Sequence, residues 1–142
     1  MYKFRGWHTG QRRMYSAEEM TRDQLTLLPT GEFINVSGVS TSLSVIYPRD
    51  KFIPLLYTGF LDRNSKESYE GDIANCVVMV GSIGKIFYKD GAFWWGGNVI
   101  GYCEHPLHLT SSNCEQSGWI PYEYEVIGNS YENPELLDDN HR

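Results

Sequence analysis

The residues best equipped for chemistry are Cys103-Glu104-His105-Pro106-Leu107-His108, with Cys114 further along the chain. Two thiolates and two imidazoles would suit a tetrahedral zinc ion. The spacing argues against it, because there is neither a Cys-x2-Cys pair nor a His-x3–5-His pair, and a polar loop with two incidental cysteines is the plainer reading. On a strand, Cys103 and His105 would share a face and could touch. Nucleophilic catalysis also needs an orienting acid and oxyanion donors, and nothing in the sequence marks either. Glu70 and Asp72 lie two apart and could share a metal or a proton, but capping of a glycine turn explains them more simply. There is no phosphate-cradling Gly-Lys-Ser/Thr loop, no His-Glu-x-x-His and no Gly-x-Ser-x-Gly. The expectation is a protein that is not an enzyme and carries no cofactor.

Binding chemistry is better represented. The chain has 142 residues, among them ten Tyr, six Phe and four Trp, and a net charge of −6. That charge is uneven. Residues 1–22 hold five Lys/Arg against two Asp/Glu, a net +3, whereas the remainder holds seven against sixteen, a net −9. An acidic body repels polyphosphate, so general coating of nucleic acid is disfavoured. A local contact through Lys3, Arg5, Arg12 and Arg13 stays open. Phe93, Trp94, Trp95, Trp119, Tyr122 and Tyr124 could form a stacking platform for single-stranded bases, although burial in a core accounts for most of them. Trp94 and Trp95 are adjacent, so a regular strand would point them to opposite faces, leaving one for a partner or a second subunit.

These residues have to be positioned by strands and tight turns. Aromatic and β-branched residues between glycines suggest strands rather than a helical bundle. Residues 2–15 read as a hairpin turning at Thr9-Gly10-Gln11. Ser16-Ala17-Glu18-Glu19 has the form of a capping box, which predicts a short helix over about 17–23. Strands follow at 25–28 and 32–36 around Pro29-Thr30-Gly31, while 37–50 reads in part as surface loop. Pro54 lacks an amide donor and belongs at a sheet edge or bulge. Asp62-Arg63-Asn64-Ser65 has turn chemistry. Ile73–Val80 is a β-branched strand, and Lys85–Lys89 with Ala92–Trp95 makes a hairpin across Asp90-Gly91. Gly96-Gly97 suggests a bend opening an irregular stretch over 96–118. Tyr122, Tyr124 and Val126 alternate onto one face. Asn133 then caps a terminal helical turn at about 134–138 that begins with Pro134, and 138–142 is expected to fray.

A chain of this length buries about 68% of its unfolded surface, enough for one domain without staples. No apolar run approaches the roughly 20 residues of a membrane span. Met1-Tyr2-Lys3-Phe4-Arg5-Gly6-Trp7 has no signal core followed by a small-residue cleavage site. The three cysteines, Cys76, Cys103 and Cys114, do not make complete pairs, which suits a reducing compartment. A cytoplasmic protein with no membrane partner is expected.

Three segments, in this order and spacing, resemble the YopX-like family of phages and prophages. They are Lys3-Phe4-Arg5-Gly6-Trp7 with Met14-Tyr15; Tyr57-Thr58-Gly59-Phe60-Leu61-Asp62-Arg63-Asn64 through Tyr69-Glu70-Gly71-Asp72-Ile73; and Val126-Ile127-Gly128-Asn129-Ser130-Tyr131-Glu132-Asn133-Pro134-Glu135-Leu136-Leu137. Two departures fall before Tyr69, where the family usually has Gly at the position of Ser65 and an aliphatic residue at that of Ser68. The resemblance implies a mainly β fold, a small SH3-like or otherwise closed or semi-closed barrel with an added N-terminal hairpin and short helix. It implies one domain over 1–142, with an N-terminal part at 1–50 and the barrel part at 51–137. It also implies a phage-derived accessory protein in the host cytoplasm, and it carries no catalytic residues.

The motif residues themselves read as architecture. Gly59, Gly71 and Gly128 sit at changes of direction that often need positive φ, Asp72 is placed to accept turn amides, and Tyr57, Tyr69 and Tyr131 flank the bends. The leading expectation is a binding module for a protein partner, since an acidic body with exposed aromatics suits a basic surface. A nucleic-acid binder and a metal-dependent enzyme around Cys103, His105, His108 and Cys114 are the two alternatives. Self-association is a further expectation, because the edge strands of a small sheet need cover.

Overall fold

The computed structural model describes residues 3–36, 45–76, 82–98, 101–107 and 124–138. Among them 58% are strand and 10% helix, and one sheet is curled into a half-barrel, which is the mainly β fold that the turn pattern predicts. The chain forms two compact units, Met1–Leu56 and Tyr57–Arg142.

In the first unit, β1 (Phe4–His8) pairs antiparallel with β2 (Arg13–Tyr15), and α1 (Ala17–Arg22) follows. The capping box at its start is complete: Glu19 donates its amide to the Ser16 hydroxyl at 3.1 Å, and the Ser16 amide returns to the Glu19 carboxylate at 3.3 Å. Such reciprocal bonds satisfy two donors that a helix leaves orphaned. β3 (Leu25–Leu27), β4 (Phe33–Asn35) and β5 (Val45–Tyr47) make a three-stranded sheet, with Gly31 at φ +97° in the first turn. The core is Tyr15, Met20, Phe33 and Phe52, with the Phe33 and Phe52 rings 4.6 Å apart.

β6 (Phe52–Leu61) runs through the unit boundary. Its first half pairs with β1, placing Pro54 opposite Gly6. Its second half pairs with β7 (Glu67–Tyr69), at Tyr57 with Tyr69 and Leu61 with Glu67. Pro54 thus has a ladder on one side among the described residues, as a residue with no amide hydrogen requires.

The second unit is organised by a five-stranded antiparallel sheet in the order β11-β10-β9-β8-β12. Its strands are β8 (Asp72–Cys76), β9 (Ser82–Lys89), β10 (Ala92–Asn98), β11 (Tyr102–Pro106) and β12 (Tyr124–Asn129), and α2 (Glu135–Asp138) follows. The β9–β10 turn has φ +53° at Asp90 and +79° at Gly91, the left-handed pair that lets a two-residue hairpin follow strand twist. Alternation sends Ala74, Cys76, Ile86, Trp95, Tyr124 and Val126 into the core, together with Leu107. The Trp95 indole donates to the Ala74 carbonyl at 2.9 Å. The polar end of a buried Trp is thereby satisfied.

Several expectations need correction. Gly96 and Gly97 do not bend the chain. They lie inside β10, paired on one side with Lys85 and Gly84 and on the other with Glu104 and Cys103. Their missing side chains are filled by neighbours, since a Cβ on Gly96 would meet Phe87 at 2.8 Å and one on Gly97 would meet the Trp95 ring at 2.9 Å. Residues 102–106, expected to be irregular, form β11, which pairs antiparallel with β10. Gly128 lacks positive φ and is required by space, because its Cβ would lie 2.6 Å from Asn133 Oδ1. Asn133 turns that oxygen back to the Asn129 amide at 3.3 Å instead of capping α2. The strand expected over Ile73–Val80 is seen to Cys76; its last four residues, the loop at 37–44, residues 108–118 of the stretch expected to be irregular and the tail at 139–142 lie outside the described residues.

Ser65 and the motif glycines give a graded test. Ser65 holds φ +63°, the left-handed conformation where the family usually has glycine. That conformation costs a non-glycine residue about 1–2 kcal/mol, while glycine costs about 0.4–1 kcal/mol through the unfolded state. Ser65→Gly should therefore stabilise by about 0.5–1 kcal/mol in urea denaturation. Gly59 and Gly71 both hold φ +85°, but a Cβ at Gly59 meets open space and one at Gly71 meets Tyr131 at 2.8 Å. Gly71→Ala should cost clearly more than Gly59→Ala, and equal losses would show that the Tyr131 contact contributes nothing.

Candidate functional site

The basic residues expected to touch a partner are positioned by β1, β2 and α1. Lys3 Nζ lies 3.1 Å from Glu18 Oε1. Arg13 forms an ion pair with Glu19 and sits 4.1 Å above the centre of the Tyr15 ring. Arg5 is half-buried in mid-strand opposite Leu55, and Arg12 is exposed in the hairpin turn at φ +51°. The first turn of α1 thus supplies acids to two of the four cations. The Glu18 carboxyl is held below its usual range by its own backbone amide and by Lys3. Glu19 is held low chiefly by the Ser16 amide, with Arg13 adding to it.

The expected aromatic platform is divided. Trp95 is in the core at 2% exposure and so is not a surface contact, and Tyr124 is also buried at 3%. Trp94 lies on the opposite face, as adjacent strand residues must. Its indole donates to the Lys89 carbonyl at 2.9 Å, and Lys89 Nζ lies 5.4 Å from its ring centre. Trp119 and Tyr122 lie outside the described residues. Among the described residues, the aromatics with large exposed surface are Tyr88, at 52%, and Tyr102, at 64%. Sequence reading missed both. Period-two alternation across Tyr102-Cys103-Glu104-His105 was the available signal, hidden by taking the preceding glycines as a bend.

Cys103 and His105 share a face of β11, with Sγ 3.5 Å from Nε2, and the His105 ring stacks on Trp95 at 5.9 Å between centres. His108 and Cys114, the other proposed zinc ligands, lie outside the described residues, among which no three His, Cys, Asp or Glu side chains converge. Asp72 is 1% exposed and accepts the Tyr69 amide at 2.8 Å, so it caps its turn.

The second and third family-like segments meet in space. Gly71 donates its amide to the Ile86 carbonyl at 2.9 Å and accepts the Ser130 amide at 2.7 Å. Asn129 pairs with Asp72 across β12 and β8, and its side-chain oxygen accepts the amides of Tyr131 at 3.0 Å and Glu132 at 2.8 Å. Tyr57 and Tyr69 pack at 5.5 Å between ring centres. Thr58, Ser68 and Tyr124 form a buried hydroxyl chain, with oxygens 2.6 and 3.0 Å apart. Burial pushes the Tyr124 phenol up to about 12. These motifs build the fold.

The helix-cap acids make the first unit pH-sensitive. A carboxyl whose folded pKa is depressed contributes stability above its unfolded pKa and loses it as pH falls toward the folded value. Glu19→Gln should therefore lower the midpoint of urea unfolding at pH 7, with the difference from the parent shrinking as pH falls below 4.5. A difference that is the same at pH 7 and pH 3 would remove charge from the account of this cap.

The chain matches a family model described as YopX protein over residues 3–138. It is similar in structure to protein EF1440 from Enterococcus faecalis, with 26% identity, a TM-score of 0.57, and coverage of 96% of this chain and 98% of that one. It also shares its fold with protein yopX from Bacillus subtilis, at 19% identity and a TM-score of 0.52, covering 94% and 96% of the two chains. No curated protein matches. Because one family model spans both units and every motif that turns the sheet, the chain belongs to the YopX family.

Proposed function

We propose that the chain is a non-enzymatic accessory protein of phage or prophage origin, acting in the bacterial cytoplasm by binding a protein with a basic surface. The supporting observation is the division of charge between the units. Residues 1–56 hold seven Lys/Arg against five Asp/Glu, a net +2, and residues 57–142 hold five against thirteen, a net −8. Fields of that size steer oppositely charged partners and repel polyphosphate. The same unit exposes Tyr88 and Tyr102, and tyrosine is favoured at protein interfaces.

The nucleic-acid reading is weakened by the pairing of Lys3 and Arg13 with Glu18 and Glu19. Counterion release needs cations that can turn to phosphate. Arg12 is the exposed exception. The metal-dependent reading rests on the 3.5 Å approach of Cys103 to His105.

Affinity capture from infected or lysogenic host cells, with and without nuclease, separates the readings. A protein should be retained after nuclease and released by salt, since surface charge contacts are screened. Retention lost to nuclease would favour nucleic acid, and near-stoichiometric zinc in the purified protein would revive the enzyme.

A further inference from the structure

The outer face of the five-stranded sheet carries a groove of about 350 Å³, with Tyr102 in its lining. Strand register assembles it. Lys85 on β9, Gly96 on β10 and Glu104 on β11 form one cross-strand row, and the space over the glycine is taken by Phe87 and Tyr102. Each of these two rings comes close enough to touch a Cβ placed on Gly96, and both line the groove. Leu137 of α2 and Ile83 supply apolar surface, and Asn98 supplies an amide.

The charges in the groove do not cancel. Glu104 is already engaged, its Oε2 taking Lys89 Nζ at 2.7 Å and its Oε1 taking the Tyr102 hydroxyl at 3.3 Å. Lys85 is half-buried and has no hydrogen-bonding or acidic partner among the described residues. A partly desolvated ammonium gains from an anion that replaces its lost water. The larger cleft of the first unit, about 600 Å³, lacks this feature, because its Lys3 and Arg22 are matched by Glu18 and Asp23.

We propose that this groove binds a small molecule joining an anionic group to a flat apolar ring, with the anion on Lys85 and the ring laid against Phe87 and Tyr102. Its volume falls in the range of about 300–1,000 Å³ typical of small-ligand sites. Aromatic side chains favour a flat body through stacking.

The test uses the full chain and 1-anilinonaphthalene-8-sulfonate, a sulfonate on a flat ring system, read by fluorescence. Saturable binding is expected, weakened about tenfold by Lys85→Met, as loss of one charged hydrogen bond implies. Tyr102→Ala should weaken it too, while Lys66→Met, outside the groove, should leave it unchanged. In the unaltered protein, amide shifts on titration should cluster on β9, β10 and β11, a readout that stands if a variant fails to fold. Indole-3-acetate and adenosine monophosphate distinguish carboxylate from phosphate ligands: displacement by either supports the site and assigns its anion. Displacement by neither, equal displacement by uncharged indole, wild-type affinity in Lys85→Met, or shifts clustering elsewhere would each overturn it.

Discussion

The second unit depends on one buried carboxylate. Asp62, 7% exposed, accepts the amides of Asn64 and Lys66 at 2.8 Å each, and its other oxygen accepts the Val126 amide at 2.9 Å. The first two bonds close the turn between β6 and β7, and the third fixes that turn to β12. An unsatisfied buried carboxylate would be strongly unfavourable, so this side chain allows only arrangements that bring residues 62 and 126 together. The Arg63 amide repeats the link, donating to the Tyr124 carbonyl at 3.0 Å. Once that join exists, Tyr124 and Val126 face the core, and the Tyr131 turn reaches Gly71.

Family identity therefore reports a way of joining turns rather than a chemistry. Asp72 and the Asn129 side-chain oxygen accept backbone amides, the Asn129 amide goes to Glu132, and Tyr131 and Asn133 pack against Gly71 and Gly128. The proposed binding would draw on other groups of the second unit, such as its excess of acids or the groove at Lys85. Fold and function are separable in this way in many small β proteins.

What could be read from the sequence was mostly local. Ser16 with Glu19, and Asp90 with Gly91, carry their geometry within a few residues, and both formed as their chemistry dictates. Trp94 and Trp95 were legible as residues on opposite faces, but which one was buried depended on what β8 and β12 placed beneath them. Gly96-Gly97 misled because a glycine pair looks alike in a bend and in a strand whose side-chain space is filled from elsewhere. Lys3 and Arg13 looked free because the acids that engage them sit on a helix whose packing the sequence does not state. Lys85, Gly96 and Glu104 form a groove only once strand register aligns them.

The hydroxyl chain has an evolutionary consequence. Ser68 also donates to the Phe60 carbonyl at 2.8 Å and meets Thr58, so it keeps partners if the Tyr124 hydroxyl is lost. The converse does not hold, since Ser68 is the hydroxyl's hydrogen-bond partner among the described residues, and a stranded buried phenol carries its full desolvation penalty. Exchange between this polar core and the aliphatic residue usual in the family is thus bound to one order: phenylalanine must arrive at position 124 before the serine can leave, and serine must return before tyrosine can.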